Sequence, residues 1–231
     1  MSSTTIQQKF QRVREHCFAQ WQSSDRYKDF IIELSDEDVL LGRKIANERY
    51  DSHRELGKKN KTYGYPIKGR EVLGCLGELA VIRWAQKEGF DVSMEQFFDT
   101  TSEFNYDDNF DTDIVYNGET FSVEVKATEK PMKSKLIIPK EQAENKAADV
   151  YVLVCQVDEK RYCIKGFTTH DTVIDNFNND MSKSAYTVEE KLLTIDLKEI
   201  LKGDNNEFWR QSTNEYESTT LRGNFYYKWA S

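Results

Sequence analysis

No run approaching about 20 apolar residues occurs in this chain, so nothing in it reads as a membrane-spanning helix. The opening residues, Met1-Ser2-Ser3-Thr4-Thr5-Ile6, lack the basic and apolar regions of a secretory signal. Four cysteines, at 17, 75, 155 and 163, make no Cys-x-x-Cys pair and sit in otherwise apolar segments. That pattern argues against a zinc site or a disulfide frame and for reduced core residues of a cytoplasmic protein. The three histidines, His16, His53 and His170, fall in unrelated segments, and His16 and His53 read as helix-surface or packing residues. There is no Gly-rich loop followed by Lys and Ser or Thr, and no Ser or Cys in a nucleophile elbow, which removes the common nucleotide-binding and acyl-transfer designs. With three prolines, no repeats and no low-complexity tract, the chain is long enough for one domain with additions at its ends.

What is present is charge and aromatic surface. Charged residues make up 31% and aromatics 13%, a polar composition still well supplied for a core, which argues against global disorder. A net charge of −8 argues against a protein that simply coats nucleic acid. The distribution says more than the total. From Asp91 to Asp113 there are eight acids and no bases, whereas from Arg54 to Arg70 there are six bases and one acid. A third stretch, Lys126 to Lys146, has six lysines against three glutamates. Either charge run alone reads as a solvated face.

The apolar periodicity predicts an amphipathic helix over residues 5–22, with Phe10, Val13, Cys17, Phe18 and Trp21 as its stripe. Ser35 followed by Asp36, Glu37 and Asp38 predicts the capped start of a second helix running to about Leu56. Residues 57–70 then form a basic loop in which Lys58, Lys59 and Lys61 stand beside Tyr63 and Tyr65. Lysines interleaved with tyrosines suit contact with a phosphate backbone, and equally a surface loop with two packed rings. A third helix, Glu71 to Glu88, ends at Gly89. Within it Glu78 has Gly74, Cys75, Val81 and Ile82 as its neighbours three and four positions away, so its carboxylate points into protein. A buried acid needs a cation such as Arg83, a backbone group, a proton or a metal ion.

Asp113-Ile-Val-Tyr-Asn-Gly-Glu-Thr-Phe-Ser-Val-Glu124-Val-Lys126 reads as a tight β-hairpin. Asn117-Gly118 tolerates positive φ at both centres of a type I′ turn. A two-residue loop pairs 116 with 119, 115 with 120, 113 with 122 and 111 with 124. Asp111, Asp113, Ser122, Glu124 and Lys126 then share one face, and Ile114, Phe121, Val123 and Val125 the other. Beyond it, Leu136–Pro139 reads as a short strand or turn, Lys140–Ala148 as a helix, Asp149–Gln156 as a strand buried on both faces, and Arg161–Phe167 as one more strand. A helix near Leu197–Leu201 precedes an aromatic-rich end to which no chemistry can be assigned. The order helix, strand, strand, helix, strand, strand predicts an α/β fold, a mixed β-sheet core flanked by helices.

Gly74-x-x-Gly77-Glu78 on a helix, an Asp opening a hairpin, Glu124-Val-Lys126 and an Ala-Asp-x-Tyr-x-x-Val strand together resemble the PD-(D/E)XK, or restriction-endonuclease-like, nuclease superfamily over roughly residues 71 to 167. The resemblance implies a nuclease core at 71–170, a helical N-terminal extension with the basic loop at 1–70, and a C-terminal extension packed on the core at 171–231. It implies that Asp113 and Glu124 bind a divalent metal, that Lys126 orients or activates the attacking water, and that Glu78 completes the site. Gln142 matches a polar position that relatives use. Phe110-Asp111-Thr112-Asp113 stands in place of Pro-Asp, which leaves Asp111 as a rival to Asp113.

Independently of the resemblance, hard carboxylate oxygens suit Mg²⁺ or Mn²⁺, an ion that neutralises phosphate and acidifies water. The expectation is a Mg²⁺-dependent nuclease acting on phosphodiester bonds, with DNA as substrate and RNA open. The sequence allows a homodimer and fixes no oligomeric state. From a different class, a catalytically silent nucleic-acid or protein interaction module would keep the fold; a small-molecule hydrolase fits the charged loops less well.

Overall fold

The computed structural model describes residues 3–57, 68–100, 110–131, 135–178 and 185–202. The chain divides into two units, Met1–Leu197 and Lys198–Ser231. The first carries a mixed six-stranded sheet flanked by helices, and helix α7 (Leu197–Lys202) stands at the boundary with the second. The aromatic-rich end lies outside the described residues.

Two long helices open the first unit. The chain runs through α1 (Ser3–Gln22), strand β1 (Ile31–Glu33) and α2 (Asp36–Gly57). Among the described side chains of α1, from Gln8 on, those of its second half pack. Cys17, Phe18 and Trp21 are buried, whereas Phe10 and Val13, expected in the same stripe, are 63% and 40% exposed. The sheet beneath α1 supplies partners, Cys155, Val157 and Cys163, to its last turns. That end is also held by a buried cation: Lys165 Nζ lies 4.0 Å from the Trp21 ring centroid, 3.8 Å from that of Tyr27 and 3.0 Å from Glu190 Oε1. Helix α2 starts as its sequence predicts. The Asp38 N–H donates to Ser35 Oγ (3.1 Å) and the Ser35 N–H to Asp38 Oδ2 (3.3 Å), a reciprocal cap.

Helix α3 (Lys68–Lys87) is the central helix, buried from Cys75 to Ile82. Gly77 is why it lies so close to the sheet: a Cβ there would stand 2.7 Å from the Ala127 Cβ, so only hydrogen fits at this crossing. Strand β2 (Asp91–Ser93), the short helix α4 (Glu95–Phe98), β3 (Thr112–Tyr116) and β4 (Glu119–Thr128) follow. After them come β5 (Lys135–Pro139), α5 (Lys140–Asn145), β6 (Val150–Gln156), β7 (Arg161–Thr169), α6 (His170–Asp175), β8 (Phe177–Asn178) and β9 (Ala185–Glu189).

The large sheet has the order β1-β7-β6-β4-β3-β2. All its pairings are antiparallel except β4 with β6. Every residue of β6 is buried, as its unbroken apolar run requires of a strand covered on both faces. The parallel pairing forces a crossover between β4 and β6, and that crossover contains β5 and α5. Strand β5 therefore does not join the large sheet. It heads a second, three-stranded sheet, β5-β9-β8, with Leu136 and Ile138 packed in one cluster with Tyr151, Tyr186 and Val188. All four cysteines are buried and outside disulfides, and loss of water pushes their thiol pKa values up. None of the described helices is long and apolar enough to cross a membrane.

Candidate active site

From Thr112 to Val123 the hairpin has the predicted register, while the expected pair of Asp111 with Glu124 falls outside the ladder. Asn117 and Gly118 take φ of 53° and 82°, the two positive values a type I′ turn demands. Tyr116 then pairs with Glu119, Val115 with Thr120 and Asp113 with Ser122. Strand β4 continues past the hairpin into its parallel pairing with β6, where Glu124 stands beside Tyr151 and Lys126 beside Leu153. Glu124 and Lys126 are thus carried by a strand paired on both sides, at the centre of the sheet.

Glu124 is buried, and its Oε1 accepts two hydrogen bonds, from Lys126 Nζ and from Gln142 Nε2 of α5, both at 2.6 Å. Loss of water alone would raise its pKa. The charges of Lys126 and Lys146 and the two hydrogen bonds outweigh it and hold the carboxyl below its ordinary value. For Lys126, burial works to lower the pKa, but Glu124, Asp111 and Glu78 prevail and raise it, so the ammonium is the resident form at neutral pH. Lys146, just past α5, also lies over the Phe110 ring, 4.9 Å from its centroid.

Glu78 reaches the same group from α3. It is buried, and the cation facing it is Arg49 of α2, whose Nη1 donates to Oε1 at 3.0 Å and to Oε2 at 2.8 Å. Arg83, which the sequence suggested, is engaged elsewhere: its Nε and Nη2 bind Asp38 Oδ1 at 2.9 and 2.6 Å and tie α3 to the start of α2. Burial raises the Glu78 pKa, with the Arg49 charge opposing and Glu124 reinforcing.

The two aspartates of the β3 entry separate. Asp111 precedes the strand; its N–H donates to the Val123 carbonyl (3.1 Å) and its Oδ2 accepts from the Val125 N–H (2.6 Å). Burial, then the Glu124 and Glu78 charges, push its pKa well above its ordinary value, so it belongs electrostatically to the Glu78, Glu124 and Lys126 group. Asp113 Oδ2 instead accepts from Gln96 Nε2 of α4 at 2.6 Å. The structure therefore brings Glu78, Asp111, Glu124, Lys126 and Gln142 together and turns Asp113 to another partner. Lys58, Lys59, Lys61, Tyr63 and Tyr65 lie outside the described residues.

Arg49 escaped the sequence reading, although a signal existed. Its neighbours three and four positions away are Ile45, Ala46, Ser52 and His53, as devoid of other formal charge as those that singled out Glu78. Among the described residues no three His, Cys, Asp or Glu side chains are gathered as a ready metal cage; Arg49 engages Glu78, and Lys126 with Gln142 engages Glu124. Gln96 Oε1 is buried without a hydrogen-bond partner beside Asp113. No family model and no curated protein matches the chain.

Proposed function

We propose that this protein is a divalent-metal-dependent nuclease that hydrolyses phosphodiester bonds, with DNA as its substrate. One observation carries the reading: Glu124 of β4 is bound by Lys126 and Gln142 and shares its electrostatic field with Asp111 at the β3 entry and Glu78 of α3, in an order along the chain that resembles the PD-(D/E)XK superfamily. The donors fit the metal. All are hard carboxylate oxygens suited to Mg²⁺ or Mn²⁺, and Asp111, whose pKa is raised first by burial and then by the Glu124 and Glu78 charges, is a carboxyl that a nearby cation would help to ionise. Asp111 and Glu124 are the residues we assign to hold the ion, with Glu78 behind them and Asp113 as the rival of Asp111. A bound divalent ion supplies positive charge to the scissile phosphate and a lowered pKa to water.

The chain's own groups then divide the remaining work. Lys126, kept as an ammonium 2.6 Å from Glu124 Oε1, donates hydrogen bonds and so orients the attacking water and offsets charge growing on the phosphate; it is not a proton acceptor in that state. Gln142 holds the same Glu124 oxygen through its amide N–H. A catalytically silent interaction module has one observation in its favour: Glu78 and Glu124 are each engaged by an internal cation, as in a structural salt-bridge network.

The deciding assay is purified protein with Mg²⁺, Mn²⁺ or EDTA against linear, circular, single-stranded and branched DNA, and RNA. Cleavage with metal, abolished by EDTA and slowed about 10²-fold or more by Lys126→Ala, is the expected result. If no nucleic acid is cut with either metal, the silent module takes over.

A further inference from the structure

We infer that Arg49 is an internal counter-cation that competes with the divalent ion for the acid cluster and so sets the ion concentration at which the site loads; this rests on the metal-dependent reading above. Arg49 comes from α2, in the N-terminal region that the sequence places outside the nuclease core, yet its side chain is only 15% exposed and ends in that core. Its guanidinium is held on two sides. Nη1 donates to both Glu78 oxygens, while Nη2 donates to the main-chain carbonyls of Phe97 (3.0 Å) and Gln96 (3.4 Å) in α4. The Phe97 ring lies 5.6 Å beneath it. So anchored, the planar group cannot follow Glu78 if that carboxylate turns toward an ion.

Two loading geometries are then possible, and they agree in sign. If Glu78 turns to the ion, its two bonds to Arg49 break and a buried guanidinium loses its partner. If Glu78 stays with Arg49, the ion settles on Asp111 and Glu124 with a fixed positive charge nearby, since Arg49 acts on Asp111 as well as on Glu78. In both cases the cation already in place opposes the one arriving. With Arg49, three bases, Arg49, Lys126 and Lys146, act on the three acids of the cluster; without it, Lys126 and Lys146 remain.

The test is Mn²⁺ binding to the full chain after EDTA treatment and dialysis, read from the free-ion EPR signal, for wild type, Arg49→Met, Arg49→Gln, Arg49→Lys and Glu124→Gln. Arg49→Met and Arg49→Gln should bind Mn²⁺ about tenfold or more tightly than wild type, the scale of one nearby charge on a neighbour's ionisation. Added Mn²⁺ should raise their melting temperatures by more than it raises that of wild type. Arg49→Lys keeps the charge and should stay close to wild type. Arg49→Gln can still donate to Glu78, so it carries the test if the Met variant does not fold. Wild-type or weaker Mn²⁺ affinity in the two neutral variants would overturn the inference while leaving the nuclease reading in place. Mn²⁺ binding unaffected by Glu124→Gln, together with no cleavage of nucleic acid, would overturn the metal reading itself and the inference with it.

Discussion

Asp111 and Asp113 stand two residues apart on what the hairpin alternation makes one face, yet Asp111 Oδ2 binds the Val125 N–H while Asp113 Oδ2 binds the Gln96 amide. The split arises because β3 begins at Thr112. Asp111 lies before the ladder and is free of its pleat, so its side chain folds back over β4 and satisfies a main-chain donor there.

Asp111→Asn keeps an acceptor for the Val125 N–H and removes a charge that its surroundings disfavour. It should abolish metal-dependent cleavage and raise the melting temperature of EDTA-treated protein at neutral pH. Asp113→Asn should retain cleavage. Single-turnover rates and thermal melts of both variants check this, and the opposite pattern of activity would return the ligand role to Asp113.

Gly77→Ala isolates the contact that seats α3. Helix propensity alone favours Ala by about 1 kcal/mol, but the new methyl would stand 2.7 Å from Ala127 Cβ. The net result should be a loss of about 1–3 kcal/mol in urea unfolding, with slower cleavage because Glu78 is the next residue. Ala127→Gly in the same chain should recover most of both.

Acid should weaken the fold through His170. Burial holds its imidazole below the ordinary 6.5, against the pull of Asp171 and Asp149, and Tyr151 Oη lies 3.2 Å from its Nδ1. In the window from 6.5 down to the depressed value the unfolded chain carries a proton that the native protein lacks. This contribution is therefore complete above 6.5 and lost as pH falls through that window. Urea midpoints between about pH 7.5 and 5.5 should fall less steeply in His170→Gln than in wild type.

The basic loop supplies a prediction from sequence alone. Replacing Lys58, Lys59 and Lys61 with Ala should weaken DNA binding for every sequence and reduce the slope of log affinity against log salt by about one phosphate contact per effective charge lost. Single-turnover cleavage at saturating DNA should hardly change. An identical salt slope in mutant and wild type would make the loop an ordinary solvated surface.

Local rules made part of this protein legible at once. The Asn117-Gly118 turn and the register behind it, the Ser35 cap and the fully buried run of β6 each depend on a few adjacent residues and on a period of two or 3.6. Backbone sterics and burial decide such features wherever they occur. Which cation meets which acid was settled only by the tertiary structure. The sequence offered Arg83 to Glu78, and folding gave Arg83 to Asp38 and Arg49 to Glu78. The exposure of Phe10 and Val13, the separate sheet headed by β5 and the parting of Asp111 from Asp113 are of the same kind. Each depends on an element distant in the chain, or on where a strand happens to begin. Charge attraction and apolar burial act through space without regard to sequence separation, so periodicity can say that a side chain is buried, and only packing can say against what.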